Sequence, residues 1–323
     1  MKNHIITLLG QLTIAEITPL TVAAWIDELR KTGLSETTIG LILSHLSGIF
    51  EFAVEEEIIS KNPCHAKPVR EIKPKGRKRA SRLVPITGEA SNAIRSHLPR
   101  RYKAIVDAGR GIGLRQGESF GLSPDDIDWK AKTIHVQRQI AYDHGCMVFA
   151  PPECGDASDA RDRWIPAGDE LLFRLVAHME EFPPVSVSLP WISRHGELQT
   201  VLLMFTTHDH QPIAKNNFNR LWRTTLVAAG VITAINDENP GCGLRRDRCR
   251  DKMMHALRHL YASERLTDGM SVTTLALRLG HTDSEYTLRT YCHQVSDDHE
   301  EERARMDATL GRTSVPQVIR DVG

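Results

Sequence analysis

The sequence predicts a mainly helical chain of α+β type, with a helical N-terminal region, a basic connector, and a larger, mostly helical region enclosing one small antiparallel sheet. Three observations carry this. Apolar residues recur at helical spacing between well-placed caps over 14–62 and in several stretches from Thr87 onward. The period changes to two only between Ile127 and Ile165. Lys and Arg crowd the stretch between these regions: Lys61 to Lys103 holds 13 of them against two acids, Glu71 and Glu89.

The elements follow in order. Thr18-Pro19 reads as an N-cap followed by proline in the first helical turn, where its missing N–H does no harm. Leu20, Ala23, Ala24, Ile26 and Leu29 continue the helix and Gly33 ends it. Ser35 caps a second helix with apolar positions at Ile39, Ile42, Leu43, Leu46, Ile49, Phe50 and Ala53, and Asn62-Pro63 stops it. Residues 66–82 read as the basic connector, densest at Lys73, Lys75, Arg77, Lys78, Arg79 and Arg82. Such a run is ordinarily a solvated linker, and the same composition suits contact with phosphates. Thr87 to Asp107 is helical. Strands are expected around Ile134, Val136 and Ile140, at Met147–Phe149 and at Arg163–Ile165, with an acidic loop over Pro151–Asp162. Helices follow over 168–182, 215–229 and 252–267, then near 272–279 and 284–292. Domains are therefore expected over 1–65 and 83–323, joined by 66–82.

Net charge is zero, so the uneven placement of charge says more than its sum. No run approaches the roughly 18 apolar residues of a membrane span, and the first residues are too polar for a signal peptide. Six cysteines without repeated spacing predict reduced thiols in a cytoplasmic protein rather than a disulfide framework.

The chemistry-bearing residues gather late in the chain. His255 and Arg258, at i and i+3, share one helix face. Leu279-Gly280 reads as a helix end with a left-handed glycine, which places His281 just past it. Tyr291 follows ten residues later. A single histidine on a helix is ordinarily a packed or solvated residue, and Tyr286 competes with Tyr291 as a packing tyrosine. His255 and His259 have the i, i+4 spacing of a metal pair, but the helix lacks the glutamate of HExxH and no third ligand is evident, so no metal is expected. A phenol among clustered cations points to a tyrosine that attacks a phosphate, and Arg115, in Gly113-Leu114-Arg115-Gln116-Gly117-Glu118, adds a second guanidinium.

Taken together these motifs resemble the tyrosine recombinase (phage integrase) family, most closely integrases of actinobacterial type. The likeness rests on Gly-Leu-Arg115-Gln-Gly-Glu118, His255-Ala-Leu-Arg258-His259, Leu-Gly-His281 and Thr290-Tyr291-Cys-His293, in that order, and extends over nearly the whole chain. It implies a helical, SAM-like core-binding domain at the N-terminus and a mixed, mostly helical catalytic domain. About seventeen residues precede the first helix, so the resemblance implies a shortened core-binding domain without an arm-binding domain before it. It further implies site-specific recombination of double-stranded DNA, without metal or cofactor, by a homotetramer on synapsed DNA and no membrane. Tyr291 would attack the phosphate to give a 3′-phosphotyrosyl bond and a 5′-hydroxyl. Arg115 and Arg258 would present flat, always-charged forks to the non-bridging oxygens. His255 and His281 would add hydrogen bonds and assist proton movement. Glu118 would orient the helix end at Arg115.

One departure bears on activity. The family places a lysine on the hairpin where this chain has Pro151-Pro152-Glu153, and it protonates the leaving 5′-oxygen. No lysine occurs from 133 to 214; Lys130 and Lys132 lie on another hairpin, and a guanidinium at Arg161 or Arg163 is a poor proton donor. The alternative reading is therefore a recombinase-derived DNA-binding protein with weak or lost cleavage. On this reasoning Glu153→Lys should raise the yield of covalent adduct on a nicked suicide DNA above that of the natural chain. Equal yields would show that the departure is without consequence.

Overall fold

A computed structural model of the chain describes residues 2–74, 86–152, 162–235, 245–246 and 250–280. Two compact units, Met1–Arg82 and Leu83–Gly323, are resolved by their internal contacts.

In the first unit, helix α1 (Pro19–Lys31) starts where Thr18 Oγ1 accepts the N–H of Thr21, and helix α2 (Glu36–Glu55) where Ser35 Oγ accepts that of Thr38. Each cap satisfies a donor that the helix itself leaves without an acceptor. Val22, Trp25, Ile26 and Leu29 of α1 pack against Ile39, Leu43, Leu46 and Phe50 of α2. By length and composition α2 could cross a membrane, yet this apolar face lies in the protein core. The helix ends at Glu55 rather than running on to Asn62, and the chain turns through Glu57 at φ 56°. Asn62 instead opens a short 3₁₀ turn over Pro63–His65, with its side chain accepting from the Cys64 N–H. A further helix, α3 (Lys67–Ile72), falls in what the sequence suggests is connector. Its Val69 is fully buried and Arg30 Nη2 donates to the Ile72 carbonyl at 2.7 Å, which tie it into this unit.

The second unit contains the larger core. Residues 88–112 form two helices where the sequence suggests one: α4 (Gly88–His97) and α5 (Arg100–Ile112). Pro99 accounts for the break, because the residue before a proline is driven out of the helical region and Leu98 is extended at ψ 148°. Short helix α6 (Gln116–Phe120) follows. Among the described residues, separate small antiparallel sheets replace the single expected one. Strands β1 (Ile127–Asp128), β2 (Thr133–Val136) and β5 (Arg163–Pro166) form one, in the order β1-β2-β5. Strands β3 (Gln139–Asp143) and β4 (Cys146–Ala150) form a hairpin, as do β6 (Val185–Pro190) and β7 (Leu198–Leu203). The last hairpin is not evident from the sequence. Helices α7 (Asp169–Glu181), α8 (Lys215–Ala228), α9 (His255–Thr267) and α10 (Val272–Leu279) fall within a few residues of expectation. Two-residue strands β8 (Ala234–Ile235) and β9 (Arg245–Arg246) pair within the segment ahead of α9.

Helices α5 and α9 run through the middle of this core. Gly109 of α5 faces Leu257 of α9 so closely that a methyl there would lie 2.9 Å from Leu257 Cδ1. Gly113 ends α5 in the left-handed conformation, φ 67°. A Cβ at Gly113 would lie 2.6 Å from Tyr261 Cδ1, so both its conformation and its surroundings demand glycine. Gly113→Ala is expected to destabilise the second unit by about 2 kcal/mol or more. In thermal denaturation that corresponds to a midpoint lowered by about 4–8 °C; an unchanged midpoint would refute this account of the turn.

Candidate active site

Gly113 turns the chain from α5 directly into Arg115, the residue that precedes α6. Glu118, one turn into α6, reaches back with Oε2 to accept the Arg115 backbone N–H at 2.8 Å. Its Oε1 accepts from Arg115 Nη1 at 2.9 Å. The same carboxylate meets a second guanidinium side-on: Arg163, the first residue of β5, donates from Nη1 to Oε1 at 3.1 Å and from Nη2 to Oε2 at 2.8 Å. Glu118 is 1% accessible and Arg163 8%. Burial by itself would raise the Glu118 pKa, but Arg163 first, then Arg258 and Arg115, outweigh it and lower it to about 2. Glu118 is therefore a fixed anion.

Arg258, on α9, is almost completely buried. Its Nη1 donates to the Gly113 carbonyl at 2.9 Å and its Nη2 to the Leu279 carbonyl. Leu279 lies at the end of α10, whose terminal carbonyls lack acceptors' partners within the helix. Three consecutive carbonyls there receive three different arginines. Arg163 Nε donates to Arg278 O at 2.8 Å, Arg258 to Leu279 O, and Arg115 Nη2 makes a long contact of 3.5 Å to Gly280 O. Cations at a helix C-terminus also complement its partial negative charge. Gly280 is left-handed at φ 65°, as the sequence suggests, and a Cβ on it would come within 3.1 Å of Arg163 Nη1.

His255 is the first residue of α9, and its ring meets that of His259 edge-on with centroids 4.7 Å apart. Desolvation, then His259, Arg258 and Arg115, push the His255 pKa down to about 3, even though the residue keeps access to solvent on one side. Desolvation and then Arg258 lower that of His259 to about 4. Both rings are thus neutral near pH 7. Among the described residues no group of three or more His, Cys, Asp or Glu side chains could hold a metal.

Arg115 and His255 open onto a cleft of about 750 Å³. Lys215, Asn219 and Arg223, spaced i, i+4, i+8 along α8, line its far side with Gln139 of β3. Gln116 Nε2 donates to Asn219 Oδ1 at 3.0 Å, and the Tyr142 hydroxyl accepts the Lys215 backbone N–H at 3.0 Å. Gly117 lets α6 approach β3, since a Cβ there would lie 2.7 Å from the Ile140 carbonyl.

Of the residues singled out in the sequence, Arg115, His255 and Arg258 are brought together. His281, Tyr291, Glu153, Lys75, Arg77, Lys78, Arg79 and Arg82 lie outside the described residues, as does the expected helix over 284–292. Lys73 is exposed on the first unit. Lys132, in the turn between β1 and β2, pairs with Asp169 at 2.7 Å. Arg163, weighed in the sequence only as a poor proton donor, has a structural place: all three of its guanidinium nitrogens donate inside the protein. Its sequence signal is an arginine two residues before the buried Ile165, on the same side of a strand.

The model of the phage integrase family matches residues 81–297, more than half of the chain, and that of the phage integrase N-terminal SAM-like domain matches residues 3–57. A XerC-like tyrosine recombinase of Caldanaerobacter subterraneus is 26% identical over 87% of this chain and 68% of its own length. The ICEBs1 integrase of Bacillus subtilis is 24% identical over 96% of this chain and 76% of its own. Among solved structures, the Tn1549 transposon integrase in complex with circular intermediate DNA superposes with a TM-score of 0.66 at 18% identity, covering 92% of this chain and 86% of that one. A lambda integrase dimer bound to a COC' core site gives 0.60 at 15% identity, covering 92% and 86%. These superpositions show a shared fold.

The buried charges make stability sensitive to acid in two stages. His255 and His259 have depressed pKa values, so between pH 6.5 and about 3 to 4 the unfolded chain takes up protons before the folded one, and stability falls with pH. Glu118, lowered from 4.5 to about 2, contributes stability that is present above pH 4.5 and is lost towards pH 2. Its share is about 3 kcal/mol. Glu118→Gln is expected to be less stable at pH 7 by about 3 kcal/mol or more, having left buried cations uncompensated. Urea midpoints followed against pH should also show a shallower fall below pH 4.5; a slope equal to that of the natural chain would contradict the assignment.

Proposed function

Because this chain belongs to the phage integrase family, a class of tyrosine recombinases that cleave and rejoin DNA, we propose that it is a site-specific recombinase that breaks duplex DNA through a covalent link to Tyr291. The observation that carries the mechanism is the pair of guanidiniums, Arg115 and Arg258, held by one buried carboxylate and one helix end beside a neutral His255.

The phenolic oxygen of Tyr291 attacks the phosphorus, the bond from phosphorus to the 5′-oxygen breaks, and that oxygen leaves with a proton as a hydroxyl. The phenolic proton passes to a base in the site. The phosphodiester energy is kept in the 3′-phosphotyrosyl bond, and a 5′-hydroxyl reverses the step to rejoin a strand. No metal or cofactor enters this scheme. Arg115 and Arg258 stabilise the charge that gathers on the non-bridging oxygens, as preorganised donors whose positions are set before the substrate arrives. Neutral His255, with His281 after the α10 turn, donates hydrogen bonds to the phosphate and relays protons.

Double-stranded DNA is the partner. The cleft face formed by Lys215, Asn219 and Arg223 suits it, because phosphates take cations and base edges take amides. The basic run Lys73, Lys75, Arg77, Lys78, Arg79 and Arg82 supplies further phosphate contacts. A homotetramer on synapsed DNA is supported by a lambda integrase tetramer bound to a Holliday junction, at TM-score 0.58 and 16% identity. A cytoplasmic location accords with action on DNA. The likeness to actinobacterial integrases rests on a prophage phiRv2 integrase of Mycobacterium tuberculosis, 23% identical over 90% of this chain. Assignment to the family favours the enzyme over the binding-only alternative.

On a nicked suicide DNA the natural chain should form an adduct that survives SDS and is missing from Tyr291→Phe. Arg115→Lys and Arg258→Lys should slow its formation by roughly 10²-fold or more, since an ammonium cannot fork. DNA binding with no adduct from the natural chain would establish the binding-only alternative instead.

A further inference from the structure

Arg163 stands in a place that strand chemistry reserves for apolar groups. β5 alternates, with Arg163 and Ile165 buried and Trp164 and Pro166 facing out. Burying a guanidinium there is unfavourable unless every donor is met. Here each of its three nitrogens donates once, in a particular arrangement. Arg163 covers the face of Glu118 from which both carboxylate oxygens can be reached together, while Arg115 reaches Glu118 end-on through Nη1 and its backbone N–H. An arginine beside a carboxylate favours the two-pronged arrangement. With that face occupied, Arg115 meets Glu118 through Nη1, and its side chain remains at the edge of the cleft, 19% accessible. The Nε of Arg163, on the Arg278 carbonyl, holds the end of α10 in the same assembly, just before the carbonyl that receives Arg258.

We propose that Arg163 is a positioning residue for strand cleavage: by taking the two-pronged face of Glu118 and the carbonyl at the end of α10, it keeps the forks of Arg115 and Arg258 directed at the phosphate. The inference rests on the recombinase reading above. It separates Arg163 from Arg115, because Arg163 does not line the cleft onto which Arg115 and His255 open and donates instead to Glu118 and the Arg278 carbonyl.

The test is a single-turnover measurement of adduct formation on suicide DNA, with DNA titrated to saturation, for the natural chain, Tyr291→Phe, Arg163→Lys and Arg163→Gln. Both Arg163 variants are expected to slow the saturated rate by roughly 10- to 100-fold, the range a small misplacement of catalytic groups produces. The DNA concentration at half-saturation should stay within about two-fold, because no phosphate contact is removed. Arg163→Lys keeps the charge and should recover thermal stability better than Arg163→Gln without recovering the rate. If Arg163→Lys cleaves at the natural rate, the proposal is wrong. It is equally wrong if rate and DNA affinity fall together in proportion to lost stability, which is what a merely structural role gives. Should neither variant fold, Gly280→Ala presses a methyl towards Arg163 Nη1 without removing a charge; it should slow the saturated rate with affinity retained, and a natural rate there overturns the proposal. If the natural chain itself forms no adduct, the recombinase reading falls and takes this inference with it, an outcome distinct from a natural chain that cleaves alongside an unimpaired Arg163→Lys.

Discussion

The site depends on one ion cluster, the Glu118 carboxylate buried among Arg115, Arg163 and Arg258. Such a carboxylate is tolerable in a core only when its oxygens are fully met, and the same holds for each guanidinium. That requirement reaches outward into the fold. The short helix α6 exists where Glu118 can cap it by accepting the Arg115 N–H. The end of α5 must turn through a left-handed Gly113 so that its carbonyl meets Arg258. The end of α10 must be another left-handed glycine, Gly280, because Arg163 lies against it. Four segments distant in sequence are thereby fixed to each other by polar contacts rather than by apolar packing alone. A cluster with so few arrangements satisfying all donors acts as a register pin, which apolar side chains with their looser geometry do not.

The two histidines complete the electrostatics by staying uncharged. Desolvation first, then His259, Arg258 and Arg115, disfavour a proton on His255, and its pKa falls to about 3. A phosphate entering the cleft changes that balance, because an anion beside an imidazole favours its protonated form. That pull opposes desolvation, His259 and two guanidiniums, which accords with a ring that stays a neutral hydrogen-bond donor beside the phosphate.

Much of this was legible in the sequence, for identifiable reasons. Capping residues act within three or four positions, so Thr18, Ser35 and Ser271 each mark the helix starts that form. Gly280 likewise announces a left-handed end. Arg115, Arg258 and Glu118 carry motifs. What escaped reading depends on partners far along the chain. Nothing near Arg163 names Glu118, 45 residues earlier, as its counterion, so the sequence weighs the arginine only as a proton donor. Helix α3 looks like linker because its charges dominate its composition, while one buried residue, Val69, docks it. The hairpin β6–β7 was invisible because an exposed apolar Leu198 and the consecutive apolar run Val201-Leu202-Leu203 blur the alternation by which strands are recognised. The break at Pro99 was overridden in reading by apolar spacing on both sides of it.

Charge counting gives the cluster its meaning for the proposed chemistry. Three guanidiniums and one carboxylate leave a net charge of two positive units next to a neutral His255. A bound phosphodiester carries one negative charge, so the ground state remains under-neutralised. The pentacoordinate state reached when the Tyr291 phenolate adds carries two, and there the charges balance. An environment matched to the second charge and not the first binds the transition state in preference to the substrate, which is the condition for catalysis as opposed to mere affinity. Glu118 is essential to that match. Without its negative charge the site would hold three positive units and grip a phosphate in the ground state more tightly, to no catalytic advantage. Arg163 serves the same end from the other side: it restores the positive unit that Glu118 removes, and does so from a buried place where it makes no contact with the phosphate itself.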